Sequence, residues 1–275
     1  MARWRCYAET MRIVQLSDLH LQPPPSLLYG RVDTAACLTA ALARIATLAP
    51  DLVLLSGDLA DRGSAVEYDW LARALASLPC PVALMPGNHD RRAALRTAFP
   101  EQHWGGDIDA PCHRRLDTPE GALLLLDTLV PGEEYGRVDA AALAWLESAC
   151  PTTGRALLVM HHPPFAIGIP GMDAIACRGE AALAAWLARH DNVEALLCGH
   201  VHRFVSTVFA GRPAITAPSP AHQIALALEG TPGDLAFTLE PGGFLLHLWR
   251  AGQPLVTHYV PNTPAPTYRY ADLGG

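Results

Sequence analysis

Six runs of consecutive apolar residues punctuate the first two hundred positions: Arg12–Leu16, Leu52–Ser56, Val82–Met85, Ala122–Asp127, Ala156–Met160 and Ala195–Cys198. None alternates polar with apolar residues, so each predicts a strand covered on both faces. Amphipathic segments fill the gaps, at about Thr34–Leu48, Ala65–Ser77, Arg91–Phe99, Ala140–Ala149 and Glu180–Arg189, and predict helices. Alternation of this kind predicts an α/β layered fold. After His202 the texture changes. Phe204–Ala210, Pro213–Ala217, His222–Leu228, Gly243–Trp249 and Leu255–Val260 read as strands joined by Gly/Pro turns, which predicts a second sheet of mostly consecutive antiparallel strands. Glu229–Gly243 is a turn-rich connection, and Pro261–Tyr270 reads as an extended arm. The stretch 100–121 is long and polar and holds Trp104; loops of that length are mostly functional.

Length and composition narrow the classes. The 275 residues suit one large domain or two small ones. We read a single domain over 1–260, with an α/β part over 12–202, a mostly antiparallel part over 203–260 and a tail over 261–275. Half the residues are hydrophobic, enough for a sizeable core, and the formal charge of −7 argues against a nucleic-acid polymer as partner. Seven cysteines, at 6, 37, 80, 112, 150, 177 and 198, are odd in number and form no C-x-x-C pair. Reduced thiols in a cytoplasm are therefore expected. The first ten residues lack the apolar core of a signal peptide, and no run approaches the roughly 18 apolar residues of a membrane helix.

The chemistry lies where the apolar runs stop. The first is followed by Asp18 and His20, the second by Asp58, the third by Asn88, His89 and Asp90. The fifth is followed by His161 and His162, and the sixth by His200 and His202. In open α/β sheets that carboxyl edge is where ligands bind. Six of the twelve histidines fall in these short motifs, so their placement carries information. Asp18, Asp58, Asn88, His20, His161, His200 and His202 make a mixed oxygen and nitrogen set. Such a set suits Mn, Fe, Zn or Co, with Mn or Fe favoured, better than Ca or Mg, and no thiolate pattern for structural zinc accompanies it. Seven ligands exceed one ion and suit two ions about 3.5–4 Å apart that share a carboxylate and clamp phosphoryl oxygens. Two divalent ions give about +4, the two aspartates −2 and a bridging hydroxide −1, leaving roughly +1 for an anionic ester.

Five motifs in this order resemble the signature of the calcineurin-like metallophosphoesterases: Asp18-Leu19-His20, Gly57-Asp58, Gly87-Asn88-His89-Asp90, His161 and Gly199-His200-Val201-His202. Residues 27–33, 161–177 and 218–223 further resemble the bacterial phosphodiesterase branch, which includes glycerophosphodiesterases and class III cyclic-nucleotide phosphodiesterases. The resemblance implies a four-layer α/β/β/α sandwich of two mixed sheets. It implies that Asp18, His20 and His202 hold one ion and Asn88, His161 and His200 the other, with Asp58 bridging. It also implies hydrolysis of a small phosphodiester by a metal-bridging hydroxide, with His89 near the phosphate as stabiliser or acid and Asn88 helping to position substrate.

Other polar residues have plainer readings. Asp90 precedes a helical segment and reads as its N-cap. His162 should point away from His161 in extended chain and reads as packing. His222 is a candidate substrate contact, as is Tyr29, although packing in its loop is the stronger reading for Tyr29. Arg62 reads as a phosphate contact or a surface ion pair, and Arg91-Arg92 as a solvated first helical turn. A phosphomonoesterase and a non-catalytic scaffold are the alternatives to a diesterase. Exposed strand edges leave room for a homodimer or larger homo-oligomer. No membrane partner is expected.

Overall fold

Parallel pairing of the predicted two-faced strands accounts for most of the architecture. The structure, a computed structural model, describes residues 10–272. The leader reading, Cys6 and the last three tail residues lie outside the described residues. The first sheet has the order β13-β12-β1-β2-β3 and the second β4-β5-β6-β7-β9-β8. In the first, β1 (Thr10–Leu16), β2 (Leu52–Ser56) and β3 (Val82–Met85) run parallel. In the second, β5 (Gly121–Leu126), β6 (Ala156–Met160) and β7 (Val193–Cys198) do the same.

Parity along these strands sorts side chains into layers, because successive residues point to opposite faces. Val14, Leu16, Val53 and Leu55 pack outward against α1 (Thr34–Ala46), α2 (Ala65–Leu75) and α3 (Arg92–Ala98) through Leu38, Ile45, Leu71 and Leu95. Leu124, Leu126, Leu158 and Met160 pack outward against α4 (Ala140–Ala149) and α6 (Glu180–Leu187) through Leu146, Leu183 and Trp186. The intervening residues, Ile13, Leu54, Leu123, Leu157, Val159 and Leu197, meet between the sheets. The result is the four-layer α/β/β/α sandwich of two mixed sheets. Ser64 starts α2 with a capping box to Glu67, and Asp33 and Asp139 cap α1 and α4.

One polar chain crosses the apolar layer between the sheets. Gln15, on the inward parity of β1, donates from Nε2 to Ser56 Oγ (2.8 Å) and to the Cys198 carbonyl of the opposite sheet (2.9 Å). Its Oε1 accepts from His247 Nε2 (3.0 Å), and His247 Nδ1 accepts from Thr257 Oγ1 (2.8 Å). Burial holds His247 down to about 3, so it stays neutral with both nitrogens engaged. Buried polar groups satisfied in this way fix strand register where apolar contacts alone allow sliding.

The C-terminal strands correct the sequence reading. Apart from one two-stranded ribbon, they do not build a sheet of their own. β8 (Val205–Phe209) and β9 (Arg212–Thr216) complete the second sheet, with β9 parallel to β7. β12 (Gly243–Arg250) and β13 (Val256–Pro261) complete the first, where β12 runs antiparallel along β1 from Thr10↔Arg250 to Gln15↔Leu245. A hydrophobic pattern reports which faces of a strand are covered and is silent about which edge it joins. Of His222–Leu228 only Gln223–Ile224 is strand (β10), paired with Phe237–Thr238 (β11). The stretch 100–121 is not one loop either. It contains the edge strand β4 (Arg114–Thr118), which forms a hairpin with β5, and Trp104 donates to Phe99 O and packs on the helix-side core. A single helical turn, α5 (Pro170–Asp173), was not anticipated.

Arg92 is not solvated. Its guanidinium binds Asp127 through Nε (2.6 Å) and Nη2 (3.0 Å) and donates to Leu129 O (2.7 Å), tying α3 to the end of β5. Asp127 is fully buried. Arg92→Ala would strand that carboxylate, and removing one partner of such a pair costs roughly 3–5 kcal/mol. Urea unfolding of the variant should show a loss of that order; a change below about 1 kcal/mol would mean that the backbone donors at Cys112 and Leu129 suffice for Asp127.

Candidate metal centre

Because the central strands of both sheets are parallel, their carboxyl ends open onto one edge, and the polar motifs follow those ends directly. β1 delivers Asp18 and His20, β2 Asp58, β3 Asn88 and His89, β6 His161, and β7 His200 and His202. The backbone there is unusual. Asp18, His20, Asp58, His200 and His202 all adopt left-handed conformations, with φ of 56°, 41°, 50°, 70° and 53°. Each costs of order 1 kcal/mol or more and persists only where the surroundings over-determine it. Here Asp18 N–H donates to Gly57 O and His20 N–H to Asp58 O, both at 3.0 Å. His200 N–H reaches both carboxylate oxygens of Asp18 (2.9 and 3.0 Å), and Ser219 Oγ donates to Asp18 O (2.7 Å).

The motif glycines follow from crowding. A Cβ on Gly87 would collide with the Asp58 carboxylate and lie 2.7 Å from His161 Nε2; one on Gly199 would collide with Ser17 Oγ. Backbone has to pass within contact of the functional side chains at these points, which only glycine permits.

The buried ligand-type atoms gather in two groups, beside a less buried third made by His20, Asp61 and His89. Asp18, His20, Asp58 and His202 each offer one atom within 4.8 Å of the others, and so do His161, His162 and His200. Asp58 lies between the groups: its Oδ2 is 3.4 Å from His20 Nε2 and 3.3 Å from His161 Nε2. Tautomers can be read from obligate acceptors. His161 Nδ1 faces Ser56 O at 2.8 Å, so it carries the hydrogen and Nε2 is the free position, without a hydrogen-bond partner. His200 Nε2 faces Ile175 O at 3.2 Å, leaving an Nδ1 lone pair 3.1 Å from Asn88 Oδ1. Two acceptors facing each other, on buried His200 and half-buried Asn88, suit a cation between them. A carbonyl on one ring nitrogen that aims the other is the usual support of a metal-binding histidine.

The electrostatics agree. Burial pushes Asp18 up to about 6, with His161 opposing and Asp58 adding to the shift. Burial also pushes Asp58 up, but facing His161 holds it well below the usual carboxylate range. Burial pulls His161 down, yet Asp58 and Asp18 carry it up to about 9. His200, held down to about 3, and His202, held well below the usual imidazole range, are depressed first by burial and then by neighbouring histidines. They stay neutral, as ligating histidines must. The carboxylates thus favour positive charge between rings that offer lone pairs. The donor set therefore fits transition-metal ions.

Neighbouring residues frame this centre. His89 Nδ1 donates to Asp61 O (2.9 Å), freeing Nε2, and its backbone N–H donates to Asp58 Oδ1 (2.9 Å). His89, Tyr29 and His222 line one cavity of about 350 Å³ over the centre together with His20, Asn88 and His200. The chain bends after Met160, so His162 is not turned away from His161. It is buried, binds Thr128 Oγ1 through Nδ1 (2.8 Å) and leaves Nε2 unpartnered beside His161 and His200. Arg62 is exposed and lies 3.7 Å from Asp61.

Asp90 is not a helix cap: α3 begins after Arg91 without a side-chain cap. Asp90 instead accepts from the backbone of Gly87 (2.8 Å), Leu59 (3.1 Å) and Ala60 (3.2 Å) and from Tyr68 Oη (2.8 Å). It thereby clamps the Asp58 and Asn88 loops together. Sequence reasoning missed this role, along with Tyr68, Ser219 and Asp61. Asp61 Oδ2 accepts from Gln22, and its Oδ1 lies 3.6 Å from His20 Nδ1. Its one sequence signal is its place three residues after Asp58.

The calcineurin-like phosphoesterase family model matches residues 11–204, and the chain belongs to that family. A probable glycerophosphodiester phosphodiesterase, GpdQ, of Arcobacter nitrofigilis is 34% identical over 96% of this chain and 98% of its own length. The 3′,5′-cyclic adenosine monophosphate phosphodiesterase CpdA of Escherichia coli is 32% identical over 78% of this chain and 77% of its own. Among solved structures, a dimetal phosphatase from Danio rerio shares the fold at a TM-score of 0.63 and 16% identity, over 90% of this chain and 98% of that one.

Gly87→Ala should drive Asp58 and His161 apart and weaken Mn²⁺ binding about 10–100-fold, the range of support-residue changes at metal sites. Gly105→Ala, whose Cβ meets open space, serves as control. Metal titration that finds the two variants alike would contradict the packing argument.

Proposed function

We propose that the protein is a binuclear metal-dependent phosphodiesterase acting on small phosphodiesters, either 3′,5′-cyclic nucleotides or glycerophosphodiesters. The observation that carries this reading is the pair of buried ligand clusters with Asp58 between them, at the floor of a cavity sized for a small ligand. Asp18, His20 and His202 would hold one ion, and Asn88, His161 and His200 the other, with Asp58 shared. Mn or Fe suits this oxygen and nitrogen set. When bound, such ions acidify water into a nucleophile at neutral pH and draw charge from phosphoryl oxygens.

The chain's own groups supply the rest. His89 faces the cavity through Nε2 while Asp61 O fixes its ring. With a second proton, on Nε2, it donates to a phosphoryl oxygen or to the departing alkoxide. Asn88 shares the cavity wall and orients the ester. No described helix is long and apolar enough to cross a membrane, and the six described cysteines are free thiols. The free thiols support work in the cytoplasm, where thiols stay reduced.

Asp18→Ala and Asp58→Ala should each lose bound metal and turnover together. Exhaustive chelation of the wild type should do the same, reversibly on adding Mn²⁺; activity that survives chelation would sink the proposal. His89→Ala should keep its metal and lose about 10²–10³ in kcat, as removal of one positioned donor does. Bis(p-nitrophenyl) phosphate should be turned over faster than p-nitrophenyl phosphate. The opposite order would identify a phosphomonoesterase.

A further inference from the structure

The cavity over the centre has two unlike walls. One carries the candidate ligands and His89. The other is largely apolar: Ile224 of β10, Leu235 and Phe237 of the hairpin it opens, Met172 of α5 and Ile175 just beyond it, with Glu134 the one acidic residue of the lining outside the candidate ligands. This wall is a packed unit. Gly171 of α5 approaches Leu235 so closely that a Cβ there would lie 2.8 Å from Leu235 Cδ1, and Ala225 N–H donates to Ala236 O at 2.8 Å across the hairpin.

Its aromatic members form a continuous path. His222 stands edge-on to His202, with centroids 4.6 Å apart. It also stands edge-on to Phe237 at 5.6 Å and to Tyr29 at 5.7 Å. Phe237 and Tyr29 overlap at 5.0 Å with 32° between their planes, and Tyr29 is 54% exposed at the rim. The path thus runs from the metal centre to solvent.

A polyol arm laid against Ile224, Leu235 and Met172 would lose its water hydrogen bonds without replacements. A quaternary ammonium needs rings arranged around an open point, whereas the centroids of Phe237 and Tyr29 are 5.0 Å apart, too close to admit one between them. A planar aromatic group gains both burial and stacking here. We infer that Phe237 and the apolar hairpin wall form a leaving-group subsite that selects phosphodiesters with a planar aromatic arm, such as a nucleobase, over those with a polyol arm. The inference rests on the diesterase reading and sharpens it.

Stacking of a base on an aromatic side chain is worth about 1–3 kcal/mol, or roughly 5–150-fold. Steady-state kinetics of the Mn²⁺-loaded protein should give a higher kcat/KM for 3′,5′-cyclic AMP than for glycerophosphocholine. Phe237→Ala should shrink that ratio at least tenfold, chiefly through KM for the cyclic nucleotide, while Phe237→Trp should restore it. Equilibrium dialysis of AMP against the same proteins should show binding weakened at least tenfold by Phe237→Ala, with thermal midpoint and metal content unchanged. AMP binding indifferent to Phe237, or a wild type that prefers glycerophosphocholine, would overturn the subsite. Absence of turnover on either diester, with AMP binding still dependent on Phe237, would overturn the catalytic reading instead and leave the subsite standing.

Discussion

Of the hydrogen bonds between the two sheets, one aims the centre most directly: His161 Nδ1, at the end of β6, donates to Ser56 O, at the end of β2. It joins the second sheet to the first where their carboxyl edges meet, and it fixes which ring nitrogen faces Asp58. The Gln15 bridge to Cys198 O lies one layer deeper and keeps the same two edges in register. If the sheets slid by one residue, the two halves of the ligand set would move about 3.3 Å out of alignment. The apolar sandwich therefore serves the polar edge as a jig. Its many interchangeable contacts supply stability, and a few satisfied polar ones supply position.

Strain is concentrated at that edge. Five residues of the ligand set occupy the left-handed region although none is glycine. Each strand ends and turns within one or two residues, and this sharp turn lets Asp18, Asp58 and His200 point into a shared volume instead of along their strands. Backbone hydrogen bonds from neighbouring turns, and the Asp90 clamp from below, offset the cost. Stability given up locally is recovered as preorganisation of the groups that would meet a cation.

Much of this was legible in the chain. The runs at Leu52–Ser56, Val82–Met85 and Ala156–Met160 have the same limits as their strands, because full burial leaves an uninterrupted apolar signature. The motif residues were legible because each follows such a run, and parallel strands have one common exit. What stayed hidden depends on relations between distant segments. β12 looks like any other strand, and its bonding to β1 rather than to β9 is decided by an open edge. Asp90 looks like a cap because acceptors beside helices usually are. Its distant donors come from elsewhere, Leu59 and Ala60 from another loop and Tyr68 from α2. An extended chain would turn His162 away from His161, and the bend after β6 removes that geometry.

The pairing of β1 with β12 has a consequence for how the protein is made. Gln15 and His247 are hydrogen-bonded partners separated by 232 residues. A ribosome therefore releases Asp18, His20 and Asp58 long before the strand that completes their sheet exists. Until then β1 presents an unsatisfied edge and a cluster of acidic and imidazole groups with no rigid frame. Contacts this remote form slowly and expose nascent chains to mispairing. Formation of the centre is thus tied to synthesis of the strand that completes its frame.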